Sequence, residues 1–455
     1  MNKSDIEACK RFFDNTPDFF DVKEILRYYL SLNQKYQINN NHMPLPIWRR
    51  KGFTDDEKTA WEHLQYINDH IPPDRGISIY VHVPFCPSRC SFCDCLTMQV
   101  KNHIPRVLND YHKALLHEIN AWQACSTLPK RPVTTVHFGG GTPLFLGFER
   151  FQSLVDALRA SFNITAETEW AIETTSASLN PPMLEKLTEL GIRRLHLGVQ
   201  SMEDHVRPLL KRRESSSQVL EKIRKAHGLG WITSVDLLVG LPLETPSGML
   251  VGINDLIDAG VDGFSIYEIN LSNQNMRFAN QYHLLDRDRR ENYFLFLAVV
   301  NHLNQAGFRK NLFNHFANDR DHNLYFTFPL RSEDCLAIGA YADGVFDDYH
   351  YRHLNYRKTM DQTTPTQPAL QGGIKQPEEF QKLFPVEILL LSGEFTSKQI
   401  NQVLSYQETD ALIQPWEAAL LVEETQPGRY SLTPNGAWFS GNMITDLESV
   451  THHRV

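Results

Sequence analysis

The chain has 455 residues, 42% hydrophobic and 22% charged, the balance of a globular protein with room for one large domain and a smaller one. Lys and Arg number 45 against 54 Asp and Glu, a net charge of −9, which argues against the basic face of a nucleic-acid binder. Apolar runs such as VEILLLS at 386–392 are too short to span a bilayer, and MNKSDIEACKRFFDN has no apolar core of leader length, so a cytoplasmic protein is expected.

Residues 1–76 read as an N-terminal helical segment, with helical apolar spacing in DFFDVKEILRYYL and a loop at 37–46, QINNNHMPLP. From 77 to 316 strands and helices alternate. The strands are ISIYVHV (77–83), VTTVHF (133–138), EWAIET (169–174), RRLHLGV (193–199), ITSVDLLVG (232–240) and GFSIYEINL (263–271). Helical patterns follow at 104–123, 148–162, 181–191, up to 225, 247–260 and 288–306. Six such units predict an α/β fold, a partial (β/α)6 barrel with its site at the carboxyl ends of the strands. Residues 317–376 are expected to connect and to complete the cover of the site, with DQTTPTQPALQGGIKQ (361–376) read as a linker or ordered loop. Residues 377–455 run helix, strand, turn, strand, helix, a winged-helix-like domain. The acidic balance suits a structural cap or lid better than a DNA reader.

The chemistry is concentrated after the first strand. Cys86, Cys90 and Cys93 stand at C-x3-C-x2-C spacing, and with Cys95 they place four of seven cysteines within ten residues. The odd, clustered count argues against a disulfide framework and for a reducing compartment. Three thiolates in one loop suit an iron–sulfur cluster with one iron left open. A structural zinc using His82 would normally need a second ligand knuckle, and none follows. HFGGGTP (137–143) follows the second strand, where glycines let the backbone approach a ligand closely or simply make a tight turn. Glu173, Gln200 and Asp236 lie at or near later strand ends, and Arg212 offers a two-pronged cation for a carboxylate.

Tyr80–Cys95, YVHVPFCPSRCSFCDC, resembles the cluster motif of the radical S-adenosylmethionine (radical SAM) superfamily. Within it the chain is similar to the oxygen-independent coproporphyrinogen III dehydrogenase-like, or HemN-like, branch. The resemblance runs from about 77 to 445, with looser matches at HFA (315–317), IGAYADG (338–344) and LTPNGAWF (432–439). It implies a [4Fe–4S] cluster on Cys86, Cys90 and Cys93, and reductive cleavage of SAM to methionine and a 5′-deoxyadenosyl radical. It places Gly140, Gly141, Thr142, Glu173, Gln200, Arg212, Asp236 and Asn270 on SAM, with Tyr80 and Phe92 beside its nucleoside. Cys95, which fills the branch's C-x-C position, and Tyr80 are the candidate catalytic residues, and Cys95 is expected to leave the cluster unligated. One or two SAM molecules, a tetrapyrrole or other small-molecule substrate, a flavodoxin- or ferredoxin-type electron donor and a monomeric state are implied. The reaction is then oxidative decarboxylation of a coproporphyrinogen III-type propionate or two-SAM methyl or methylene transfer, with a haem-binding or trafficking protein as the alternative. Two departures weigh against decarboxylation: no Y-x-S-Y-P-T-type motif precedes the first strand, and Asp343 stands where an apolar residue is expected.

Overall fold

The computed structural model describes residues 3–14, 21–40, 52–100 and 104–452. Six parallel strands lie side by side in chain order: β1 (Ile77–Val83), β2 (Val133–Gly140), β3 (Glu169–Thr174), β4 (Arg194–Gln200), β5 (Ile232–Val239) and β6 (Gly263–Glu268). Helices at Ile104–Gln123, Phe148–Ser161, Pro181–Glu189, Ser216–Gly228, Pro246–Asp258 and Arg289–Gln305 intervene. Right-handed returns between sequential parallel neighbours put all these helices on one face of the sheet. The other face is the lumen. Strand alternation sorts the residues: Ile77, Ile79, Val81 and Val83 are fully buried, and Ser78, Tyr80 and His82 share the opposite face. On β2 to β5 the matching rows are Thr135–His137–Gly139, Ala171–Glu173, Arg194–His196–Gly198 and Ser234–Asp236.

The six expected strands are the middle of a longer sheet. On one side stand β7 (Arg309–Leu312) and β8 (His315–Ala317); on the other β9 (Asp334–Ile338), β10 (Asp343–Phe346), β11 (Tyr349–His353) and β12 (Leu370–Lys375). The order is β12-β11-β10-β9-β1-β2-β3-β4-β5-β6-β8-β7, with β9 parallel to β1 and the other additions antiparallel. Within the stretch 361–376, Leu370–Lys375 is strand, and the residues from 363 to 369 form an ordered loop leading into it. Its glycines serve close approach: a Cβ at Gly372 would stand 2.3 Å from the Asp55 carbonyl oxygen, and one at Gly373 2.2 Å from Tyr349 Oη.

Between β8 and β9 the chain turns into the lumen and closes its floor. Asp321, 2% exposed, accepts from Arg194 Nη2 at 2.7 Å, His315 Nε2 at 2.9 Å and Ser234 Oγ at 3.0 Å. Burial would raise its pKa, but the Arg194 and His315 charges hold it well below the carboxylate range. Tyr325 then stacks on His137 at 4.3 Å and on Tyr80 at 5.1 Å.

The C-terminal unit is a three-stranded sheet, β13 (Glu394–Thr396), β14 (Val422–Gln426) and β15 (Arg429–Leu432), ordered β13-β15-β14, with helices at Glu378–Ser392, Tyr406–Ala418 and Ser440–His452. The N-terminal segment contributes helices Lys3–Phe13, Val22–Ser31 and Glu57–His70; positions 41–46 of the expected loop lie outside the described residues. It is tied to the C-terminal unit by Tyr36 Oη donating to Asp446 at 2.5 Å and Ser31 Oγ to the Ala419 carbonyl at 2.9 Å. The helix Arg289–Gln305 joins both, through Asn301 to Glu24 and Tyr293 to Asn435.

Candidate active site

The cysteine loop leaves the carboxyl end of β1 and is gripped from two sides. On one side, Gly141 N–H donates to the Val83 carbonyl at 2.7 Å and Thr142 N–H to that of Phe85 at 2.8 Å. A Cβ at Gly141 would fall 2.7 Å from the Phe85 carbonyl oxygen and 3.0 Å from Cys86 Sγ; at Gly140, whose φ is +104°, it would strike His82. The glycines of HFGGGTP thus let this turn press against the cysteine loop. On the other side, Asn275 Nδ2 donates to the Phe92 carbonyl at 2.6 Å, Arg89 spans the Cys93 carbonyl and Gln274, and Asn270 Nδ2 donates to Asp94 at 2.6 Å.

Cys86, Cys90, Cys93 and Cys95 line a cavity of about 590 Å³ together with Phe92, Gly140, Gly141, Thr142, Glu173, Gln200, Arg212 and Asp236. That volume is in the range of small-molecule sites. Two expected residues stand outside its wall. Tyr80 lies behind it, its hydroxyl 2.9 Å from His82 Nδ1 and its ring beside Gly139 and Glu173. Asn270 is on the exposed rim, occupied with Asp94.

Each polar group on the cavity wall has a local support. Glu173 Oε1 is 2.8 Å from His137 Nε2, and its Oε2 accepts from Gly140 N–H at 3.2 Å. Burial alone would raise its pKa; the His137 hydrogen bond, the His137 and His196 charges and the Gly140 N–H bring it to about 2. Gln200, at φ +67° where β4 slips register against β5, accepts from Arg212 Nη2 at 2.6 Å. The Arg212 guanidinium also lies 5.7 Å from the Phe92 ring centre. Asp236 Oδ1 is 2.7 Å from His196 Nε2. Burial and the Cys95 hydrogen bond act in opposite senses on Cys93, and the hydrogen bond prevails to lower its pKa, while the Cys95 thiol is pushed up.

His137, His196 and Tyr325 escaped the motif reading. The signal for the two histidines was alternation: VTTVHF and RLHLGV carry polar residues at every second position, unlike parallel strands apolar on both faces. Nothing local marks Tyr325 as part of a lumen floor.

The donor set fits an iron–sulfur cluster. Three soft thiols share one wall, and the Thr142 hydroxyl is directed at Cys86 Sγ across 3.7 Å. Among the described residues no three of His, Cys, Asp and Glu are gathered around a single metal position. An α/β half-barrel with such a loop at the mouth of its first strand is the arrangement that the resemblance to radical SAM enzymes implies.

The comparisons name the family. Residues 80–256 match the model of the radical SAM superfamily. The chain is 28% identical over 319 residues to the oxygen-independent coproporphyrinogen III oxidase of Salmonella typhimurium, covering 66% of this chain and 68% of that protein. It is 30% identical over 198 residues to the heme chaperone HemW of Mycobacterium tuberculosis, covering 43% and 50% respectively. The solved coproporphyrinogen III oxidase HemN of Escherichia coli shares the fold, with a TM-score of 0.73 and 22% identity over 87% of this chain and 95% of that one. Residues 80–256 thus carry a radical SAM domain, and the chain is similar to the HemN-like branch. Among the described residues no helix is long and apolar enough to cross a membrane.

Proposed function

We propose that this chain cleaves SAM reductively and uses the radical to modify a small organic molecule. The observation that carries the reading is the cavity itself, where the thiols of Cys86, Cys90 and Cys93 meet the braced Arg212 guanidinium and the Glu173 and Asp236 carboxylates. Cys86, Cys90 and Cys93 would hold the [4Fe–4S] cluster. When bound, the cluster would supply the one electron needed to cleave the SAM S–C5′ bond to methionine and a 5′-deoxyadenosyl radical.

The chain's own residues do the holding. Arg212, braced by Gln200 and Phe92, takes the SAM carboxylate. Glu173 takes the ammonium group and remains an anion at neutral pH. Asp236 keeps Oδ2 for hydroxyl donors while Oδ1 meets His196. Gly140, Gly141 and Thr142 shape the wall beside Cys86, and Phe92 offers an apolar face. Tyr80 and Glu173 both pack against Gly139, Tyr80 from behind the wall. Cys95 is not a ligand: a fourth thiolate would close the iron that SAM needs, and its place on the wall suits contact with substrate or a second SAM.

The relatives named coproporphyrinogen III oxidase make a porphyrinogen propionate the first substrate to try. Asp343, one of the two departures from the branch, is held in place by His350 at 3.0 Å and Arg352 at 2.6 Å and lies off the cavity wall. A flavodoxin or ferredoxin suits the electron requirement, and the chain would act as a monomer. The test is anaerobic turnover with a strong reductant, coproporphyrinogen, haem and deuterium-labelled SAM, read by mass. 5′-Deoxyadenosine with loss of carbon dioxide indicates decarboxylation, and label in the product indicates methyl or methylene transfer. Haem retention without SAM cleavage would overturn the enzyme reading in favour of a carrier, the role named for HemW.

A further inference from the structure

We propose that His196 is a ligand-contacting residue, its Nδ1 donating a hydrogen bond to an acceptor atom of the bound nucleoside while Asp236 holds the ring. The inference rests on the reading of the cavity as a SAM site. His196 sits in the middle of β4 on the lumen face, and its ring is part of the cavity wall although the residue is 6% exposed. Nε2 is committed to Asp236 Oδ1 at 2.7 Å, whereas Nδ1 has no partner among the described residues. Phe326 stands edge-on at 6.1 Å and 89°, and the His315 ring lies 6.1 Å away, so the imidazole is confined on its inner side. His137 differs although it also meets a carboxylate. Its ring lies behind the wall under Tyr325, and its Nδ1 is buried without a partner. Of the two histidines, only His196 can present a ring nitrogen to a bound molecule.

The surroundings favour the doubly protonated ring. Asp236 faces it from β5 and Glu173 from β3, against Arg194 on its own strand and His315 on β8; Tyr267 of β6 lies beyond Asp236. Burial would lower the His196 pKa, but the charge and hydrogen bond of Asp236, with the charge of Glu173, raise it. Losing that proton leaves the Asp236 contact intact and turns Nδ1 from donor to acceptor.

The test is SAM affinity of cluster-loaded, anaerobic protein at pH 6.5 and pH 9, for wild type, His196→Gln and His196→Phe, with iron content and melting temperature matched beforehand. The ratio of wild-type to variant affinity cancels the titration of SAM's own amino group. We expect wild type to bind about tenfold more tightly than His196→Phe at pH 6.5, the worth of one charge-assisted hydrogen bond. The advantage over both variants should shrink by about fivefold or more at pH 9. A ratio that does not change with pH, or His196→Phe binding as tightly as wild type, would overturn the inference. Wild type that carries its cluster and binds no SAM at either pH would overturn the reading beneath it as well.

Discussion

Glu173 shows how much work a single strand-end carboxylate receives from its neighbours. With its pKa near 2, it stays charged through the working range. Its folded pKa is depressed, so its stabilising contribution is complete above the unfolded value of about 4.3 and disappears as the pH falls toward 2. SAM affinity should therefore show no transition assignable to Glu173 between pH 5 and 9, and Glu173→Gln should weaken binding at every pH in that window. An affinity transition near pH 5 that vanishes in Glu173→Gln would contradict this. Arg212→Ala should cost about 2–5 kcal/mol of SAM affinity, because its charge is braced inside the wall, and exposed Arg213→Ala far less. Equal, small losses in a SAM titration would reduce KRR to a surface charge run. Cys95→Ser should keep the cluster spectrum; loss of a quarter of the iron would make Cys95 a ligand. Cys86, Cys90, Cys93 and the GGGTP turn were legible because their chemistry is contiguous in sequence. His137 and His196 were not, because a histidine inside VHF or LHL reads as strand filling until the partner strand supplies a carboxylate.

The floor of the lumen belongs to the scale of elements. The stretch from Asp321 to Phe326 lies within the connection from β8 to β9, and Asp321 anchors it to β4, β5 and β8 at once. Arg194 is 1% exposed, so Asp321→Ala leaves a buried cation with only the Ser234 hydroxyl at 2.9 Å and the Glu169 carboxylate at 3.9 Å beside it. Loss of such a partner costs about 3–5 kcal/mol. Denaturant melts should show a loss of that size, whereas a loss below about 1 kcal/mol would mean that the floor is not held this way. The six parallel strands could be read from the sequence, since long β-branched runs alternate with helical spacing. β9 to β11 are shorter, and β12 carries the Gly372–Gly373 pair. Only the Asp55 carbonyl and the Tyr349 ring, far away in sequence, explain why a strand has glycines there.

At the scale of the molecule, the N-terminal segment binds the C-terminal unit to the barrel, a role its sequence does not reveal. Asp446 collects Tyr36, Trp416 and Lys35, and the helix Arg289–Gln305 touches both termini. Tyr36→Phe should cost about 1 kcal/mol, since Asp446 keeps its other partners; an unchanged melt would mean that this hydrogen bond adds nothing to the clamp. All of this scaffolding serves one loop, the cysteine loop after β1. Anaerobically reconstituted wild type should carry about four irons per chain, as the three-thiol motif implies, and form 5′-deoxyadenosine from SAM under strong reductant. The triple variant of Cys86, Cys90 and Cys93 to Ala should do neither. A triple variant that still binds four irons and cleaves SAM would contradict the assignment of these thiols as the cluster ligands.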